Sequence, residues 1–281
     1  MRLAGFYPVS NGIDNGVEHL REKVQQGFSL MVFPEGTRSE DNNIKRFHKG
    51  AFYLAEKLNL DIIPIVIHGY SEILPKGDFI INGGQTTIDV LGRIAPEDAS
   101  FGTDYAERTK KMAAFFKLHH QMMKRNLEGP EYFKKMIVNS FAYKEQKVIS
   151  DVKSDLNLHL GTYHTLNMFV PSKARIVHFG NDYGQLDILL ALQEPQRKIV
   201  SFIADEGKRS AAKMNYITKK RSIDYVENAG AALQSNCDII LISDNIDLNF
   251  IEKLASNVHT IILIRTTHLK DATRVARRAT S

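Results

Sequence analysis

Cysteine is nearly absent from this chain of 281 residues, with Cys237 the single example. A lone thiol excludes an intramolecular disulfide framework and fits a reducing, cytoplasmic setting. Long apolar runs are missing too. The longest, such as Ile239-Ile240-Leu241-Ile242, are strand-sized, well short of the ~20 residues a membrane-spanning helix needs. The start, Met1-Arg2-Leu3 with Pro8, Asn11 and Asp14 close behind, does not have the pattern of a signal peptide. Neither sign of charge dominates: 37 Lys and Arg stand against 32 Asp and Glu, a formal net charge of +5. That balance fits a solvated basic surface or attraction to anionic lipid headgroups or an acidic protein. Basic residues do not alternate with aromatics, so no nucleic-acid partner is expected. Metal-ligand spacing is lacking as well. His119-His120 has no partner carboxylate at such spacing, and His159 and His164 have no matching third ligand, so no metal is expected.

What is present is a real core, at 43% hydrophobic residues, arranged as alternating helices and strands. Val17, Leu20 and Val24 lie at helical spacing behind Asp14, with Gly27 as a stop, which predicts a helix over 14–27. The apolar run that follows predicts a buried strand over 28–33. A helix over 49–58, a buried strand over 61–67 and a hairpin over 79–92, turning at Asn82-Gly83-Gly84, complete an α/β unit ending near residue 102. A long helix over 103–124 reads either as a connector or as a basic amphipathic helix on a membrane. Gly129-Pro130 breaks it, and a second helical stretch over 131–147 follows. The expected division is therefore 1–102, a helical connector over 103–150, and a second unit over 151–281.

The most informative stretch is Phe33-Pro34-Glu35-Gly36-Thr37-Arg38-Ser39, followed by Lys45-Arg46-Phe47-His48-Lys49-Gly50. A Pro and a Gly turn the backbone and present a carboxylate, a hydroxyl and a guanidinium together. Arg grips phosphate with a planar fork of donors, and backbone N–H groups freed by a turn assist it. With Ile63-Pro64-Ile65-Val66 downstream and Gly5-Phe6-Tyr7-Pro8-Val9-Ser10-Asn11 upstream, this resembles the PlsC-like glycerolipid (lysophosphatidic acid) acyltransferases. The resemblance implies transfer of a fatty acyl group from a thioester to a 1-acylglycerol-3-phosphate-like acceptor in phospholipid biosynthesis. It also implies that Glu35, Gly36, Thr37 and Arg38 bind the glycerol phosphate, with Lys49 adding positive charge. The partners implied are a lysophospholipid, acyl-CoA or acyl carrier protein, and a membrane surface, with no cofactor. The implied setting is cytoplasmic, peripheral on the inner membrane or tethered to it through an upstream segment.

The family's catalytic block, a His with an Asp five residues later, is absent from all ten histidines of this chain. In that family the His takes the proton of the acceptor hydroxyl and the Asp orients it. The expectation is an acyltransferase domain lacking its N-terminal catalytic block, and a chain nearly inactive by itself. His48 and His68, the histidines near these blocks, are not expected to substitute.

The second half alternates strand and helix in the pattern of an open parallel sheet covered on both faces. Strands are predicted over 174–179, 198–204, 223–226, 238–242 and 258–264, helices over 185–193, 206–220 and 247–256, and at most one basic helix over 267–281. The turn Gly180-Asn181-Asp182-Tyr183-Gly184 follows the first strand and Asp205 follows the second. This is similar to class I S-adenosylmethionine-dependent methyltransferases, and the resemblance implies cofactor binding at Gly180, Gly184 and Asp205. Asp182 occupies the middle glycine position of that pattern and can block close approach. Glycines that merely permit tight strand–helix packing are the other reading. The expected fold class is α/β, a partial glycerolipid acyltransferase domain plus a Rossmann-like methyltransferase-type domain, an order similar to bacterial transporter/acyltransferase/methyltransferase fusion proteins. A methyltransferase and a non-catalytic lipid- or cofactor-binding module stand as alternatives.

Overall fold

The computed structural model describes residues 14–39, 42–74, 76, 83–243, 260–264 and 275–277. The chain divides into two units, Met1–Asn126 and Leu127–Ser281, and the stretch expected to join them is shared between both.

The first unit opens with α1 (Asp14–Gln25), ended by Gly27 at φ +89°. The predicted buried strand over 28–33 does not form. Phe28, Met31, Val32 and Phe33 are exposed, and these residues pair with no strand among the described residues. An apolar run becomes a buried strand only beside a hydrogen-bonding neighbour, and this one has none there. Helix α2 (Gly50–Lys57) closes at Asn59, which adopts φ +50°. Strand β1 (Ile65–His68) is shorter than expected and only half buried: Val66 and His68 face inward while Ile65 faces out. After the single turn α3 (Tyr70–Ile73), β2 (Thr87–Val90) pairs antiparallel with β1, so that Ile65 faces Val90 and His68 faces Thr87. The first arm of the predicted hairpin, from residue 79, lies outside the described residues. Asp61 and Arg93 form an ion pair beside the Ile62–Ile94 bridge that extends this ladder.

Helix α4 (Tyr105–Leu127) follows a 3-10 turn at Ala99–Phe101. Its start is fixed by Asp104, whose Oδ1 accepts from the N–H groups of Ala106 and Glu107, while Glu107 accepts from Thr103 N–H. These carboxylates satisfy orphan donors of the first turn. The buried cluster here is Phe47, Phe52, Ile94 and Met112, with the Phe47 ring edge-on to Phe116 at 5.2 Å.

In the second unit the expected helix over 131–147 splits into α5 (Lys134–Ser140) and α6 (Gln146–Leu166), and α6 runs on well past residue 150. A six-stranded sheet follows: β3 (Arg175–Gly180), β4 (Lys198–Ile203), β5 (Ile223–Val226), β6 (Ile239–Ile242), β7 (Thr260–Leu263) and β8 (Val275–Arg277), in the order β5-β4-β3-β6-β7-β8. The first five strands run parallel and β8 pairs antiparallel with β7. Residues 275–277, expected within a helix, thus form an edge strand, because β7 offers them an open hydrogen-bonding edge. Between strands lie α7 (Gln185–Gln193), α8 (Glu206–Lys213), α9 (Tyr216–Lys220) and α10 (Ala229–Leu233). Asn215 breaks the predicted 206–220 helix by capping α9 through Ile217 N–H. The predicted helix over 247–256 lies outside the described residues. One face of the sheet carries Ile176, Ile199, Ile203, Leu241 and Ile262 under α5, α6 and α7; the other carries Val177, Phe179, Ile240 and Ile242 with Ala232 of α10. Both faces are covered, which is why the strands read as unbroken apolar runs. The order reverses at β3, so the crevice at the carboxyl ends of β3, β4 and β6 is the topological switch point where such sheets bind ligands.

Candidate functional site

The Glu35–Arg38 loop is a tight turn, closed by a hydrogen bond from Gly36 N–H to the Phe33 carbonyl at 3.0 Å. Gly36 sits at φ +69°, and a Cβ there would lie 3.1 Å from Cδ2 of His48, so both backbone geometry and a neighbouring ring call for glycine. The basic segment is laced to the loop by two bonds. His48 N–H donates to the Pro34 carbonyl at 2.7 Å, and Lys45 N–H donates to Glu35 Oε2 at 2.8 Å. Phe47, buried between these bonds and stacked on Phe52, anchors the segment in the first unit's core. The arrangement keeps Glu35, Gly36, Thr37, Arg38 and Lys49 in one neighbourhood.

Their orientations differ. Glu35 is half-buried and spends its carboxylate on the loop's own architecture, whereas Thr37, Arg38 and Lys49 are exposed. Arg38 Nη1 donates to the carbonyl of Leu74 at 3.1 Å in an exposed bond, and the guanidinium carries four further N–H donors. Lys49 stands at the N-cap of α2, and its side chain makes no capping bond. His48 lies against Gly36. His68 is buried, its ring 6.0 Å from that of His120. Burial, then His68 and Lys124, push His120 down to about 4. The upstream block, 5–11, lies outside the described residues.

In the second unit Gly180 ends β3, Gly184 sits at the N-cap of α7 with φ +84°, and Asp205 follows β4. The space a side chain would need at each glycine is already filled from within. A Cβ on Gly180 would lie 2.7 Å from the His178 ring, and one on Gly184 would lie 2.2 Å from the Tyr225 hydroxyl. The turn's amides are likewise satisfied internally. Asp182 accepts from Gly184 N–H at 2.8 Å and from Leu186 N–H at 3.3 Å, and Gln185 Oε1 accepts from Tyr183 N–H at 2.8 Å. Burial, opposed by His178 and reinforced by Asp187, pushes the Asp182 carboxyl up to about 6. Asp205 caps α8 through Lys208 N–H, and the Lys208 ammonium reaches back to the carbonyl of Asn181 at 2.8 Å. Gly180 and Asp205 stand at the carboxyl ends of β3 and β4, and the amides of Tyr183, Gly184 and Leu186 are already taken within the turn. An anionic group bound at this turn would therefore have to meet amides other than these three.

Three polar residues escaped sequence reasoning. His178 on β3 is wholly buried, with Nδ1 2.7 Å from Oδ1 of Asp187 on α7 and Nε2 2.7 Å from Oγ of Ser243 just beyond β6. The available signal was a His in an otherwise apolar strand and an Asp in an otherwise apolar, wholly buried helix. The separation of Ser243 from both concealed the third member.

Comparison with known proteins bears on the first unit. The family model described as Acyltransferase matches residues 1–68. A chloroplastic 1-acyl-sn-glycerol-3-phosphate acyltransferase of Brassica napus is 41% identical over 68 residues, 24% of this chain and 20% of that protein. One from Limnanthes douglasii is 31% identical over 114 residues, 41% of this chain and 38% of that protein. The chain thus spans between a fifth and two fifths of the length of these relatives. Among solved structures, the LPA acyltransferase PlsC of Thermotoga maritima is 26% identical, covering 38% of this chain and 44% of that one at a TM-score of 0.36. TrmK of M. capricolum, solved with S-adenosyl-homocysteine, is 14% identical, covering 36% and 50% at a TM-score of 0.30. No helix among the described residues is long and apolar enough to cross a membrane. Residues 1–68 are thus similar to the acyltransferase family, and the sheet of the second unit is Rossmann-like, with five parallel strands.

Proposed function

We propose that the chain carries the acceptor-binding part of a lysophospholipid acyltransferase, which moves a fatty acyl group from acyl-CoA or acyl carrier protein to a 1-acylglycerol-3-phosphate-like hydroxyl. The observation that carries this reading is the braced Glu35–Arg38 turn inside the matched segment, with Arg38 and Lys49 exposed beside it. Glu35 holds the turn in shape by accepting from Lys45 N–H. Arg38 exchanges its weak bond to the Leu74 carbonyl for a charge-assisted pair with phosphate, and Lys49 adds a second positive charge. The acceptor hydroxyl needs a general base, and none of the ten histidines here is followed by an Asp at the fifth position, so the chain alone binds the acceptor without turning it over. A lipid substrate requires access to a membrane surface. On α4, Leu118 and Met122 stand exposed one turn apart, near the exposed Lys111, Lys117 and Arg125, a pattern suited to an anionic interface. Titration calorimetry with lysophosphatidic acid below its micellar concentration tests the assignment. Binding should weaken about 10- to 100-fold in Arg38→Ala, the worth of one charged hydrogen-bonded contact. Equal affinity would remove Arg38 from the site, and robust acyl transfer by the chain would show that another residue serves as base.

A second reading, methyl transfer in the second unit, draws on Gly180 and Asp205 at the switch point. The internally satisfied turn weighs against it. Calorimetry with S-adenosylmethionine separates the two: no heat and no thermal shift leaves a fold without this cofactor.

A further inference from the structure

The buried polar chain across the switch point is built from three elements. Asp187 and His178 are both 0% exposed, while Ser243 is half-buried. An ionised carboxylate only accepts, so the His178 nitrogen facing Asp187, Nδ1, carries the ring proton. The other nitrogen, Nε2, lies 2.7 Å from the Ser243 hydroxyl, which donates to it when the ring is neutral. Every part of this geometry is held. The ring packs where a Cβ of Gly180 would otherwise sit, 2.7 Å away. Ser243 is fixed by its own N–H, which donates to the Phe179 carbonyl at 3.0 Å and extends the β3–β6 ladder by one residue. Asp187 lies on a helix whose residues are all buried.

Stability does not account for the cluster. The Ser201 hydroxyl is buried beside it without a hydrogen-bond partner among the described residues, and Ser201 stands directly across from His178 on β4, with Tyr225, whose hydroxyl neighbours the Asp187 carboxylate, across from Ser201 on β5. An orphaned buried hydroxyl costs about 1–3 kcal/mol, and apolar residues of similar volume would serve the core as well as or better than the buried polar cluster. Buried polar groups held at a cost, reaching the surface through one half-buried hydroxyl just beyond the carboxyl end of β6, mark a site.

We propose that Ser243 is a base-activated nucleophile for activated acyl groups, esters or thioesters, reaching the carboxyl ends of β3 and β6, with His178 as its base and Asp187 positioning the ring. In the step, the Ser243 Oγ–H proton passes to His178 Nε2 as Oγ bonds to the acyl carbonyl carbon. The carbon–leaving-group bond then breaks, and the alkoxide or thiolate departs with the proton from Nε2. Asp187 accepts from Nδ1–H throughout and takes no proton. This assignment is independent of the reading of the first unit.

An alkyl fluorophosphonate probes it on the full chain. Its phosphorus takes the Oγ bond, fluoride leaves, and the proton ends on His178. Mass mapping of the intact protein should find one adduct, on Ser243, which disappears in Ser243→Ala. Asp187→Asn keeps the volume but presents an amide that favours the opposite tautomer, with Nε2 donating; labelling should slow at least 100-fold with an unchanged circular dichroism spectrum. If Asp187→Asn does not fold, His178→Asn takes its place, with the same slowing expected. No adduct on Ser243 in the unsubstituted chain, or labelling at the unsubstituted rate in a folded Asp187→Asn or His178→Asn, overturns the proposal and leaves the cluster a strut between β3, α7 and β6.

Discussion

Replacing Asp182 by Asn tests how the glycine turn is held, and its outcome depends on pH. In the native turn the two carboxylate oxygens accept from Gly184 and Leu186 N–H, while burial lifts the carboxyl to about 6 from its ordinary 3.8. A raised pKa means that the folded state binds the proton more tightly than the unfolded chain. Stability from this group is therefore fully present below about 4 and is lost as pH rises through about 6. The two-unit difference corresponds to roughly 3 kcal/mol at most. Asn removes the charge and its pH dependence, and its single carboxamide oxygen replaces the carbonyl oxygen of the protonated carboxyl to within about 1 kcal/mol. The variant should lie within about 1 kcal/mol of the parent at pH 4 and be more stable by about 1–3 kcal/mol at pH 8. Urea unfolding of both proteins across this range reads the difference directly, and other carboxylates cancel in the comparison. A stability difference of the same sign and size at both ends would refute the reasoning, because it would mean that the carboxyl is not strained by its burial.

Further expectations concern other buried groups. His120 is depressed to about 4, so its contribution is present above about 6.5 and lost as pH falls toward 4; His120→Gln should flatten the acid limb of the first unit's unfolding curve between those values, and an unchanged limb would discount the burial argument. Gly184→Ala meets the Tyr225 hydroxyl at 2.2 Å and Ala212 Cβ at 2.8 Å at a positive φ, and should cost about 2–5 kcal/mol. Pairing it with Tyr225→Phe should recover at least about 1 kcal/mol of that loss; strict additivity would contradict the geometry. Arg197, 1% exposed, donates to the carbonyls of Pro171, Leu190 and Val170 and to Asn167, so Arg197→Ala should lower stability by about 3 kcal/mol or more in urea titrations, through the carbonyls it strands.

The second unit was legible because its strands are buried on both faces, and a run such as Ile239-Ile240-Leu241-Ile242 admits few other readings. The run over 28–33 carries the same composition, yet its apolar side chains are exposed and it pairs with no described strand. Composition announces what a segment can bury, and only a neighbour decides whether it does. The break in the predicted 206–220 helix turned on Asn215, whose side chain both caps α9 and donates to Ser140 at 2.8 Å. That second partner is remote in sequence, so no local pattern reveals it. In the candidate site the Glu35–Arg38 turn was readable as a motif, but the bonds that shape it run to Lys45, His48 and Leu74. At Gly180 and Gly184 the glycines themselves were readable while their cause was not. The rings that exclude a Cβ come from His178 and Tyr225, one on the same strand and one two strands away.

The central claim is that the turn after Phe33 receives the phosphate of a glycerolipid acceptor. Titration of the isotopically labelled chain with glycerol 3-phosphate, read by amide chemical shifts, tests it most directly. The account predicts saturable shifts at Gly36, Thr37, Arg38 and Lys49 that vanish in Arg38→Ala. Saturable shifts confined to other residues, or shifts at the turn that persist in Arg38→Ala, would contradict it.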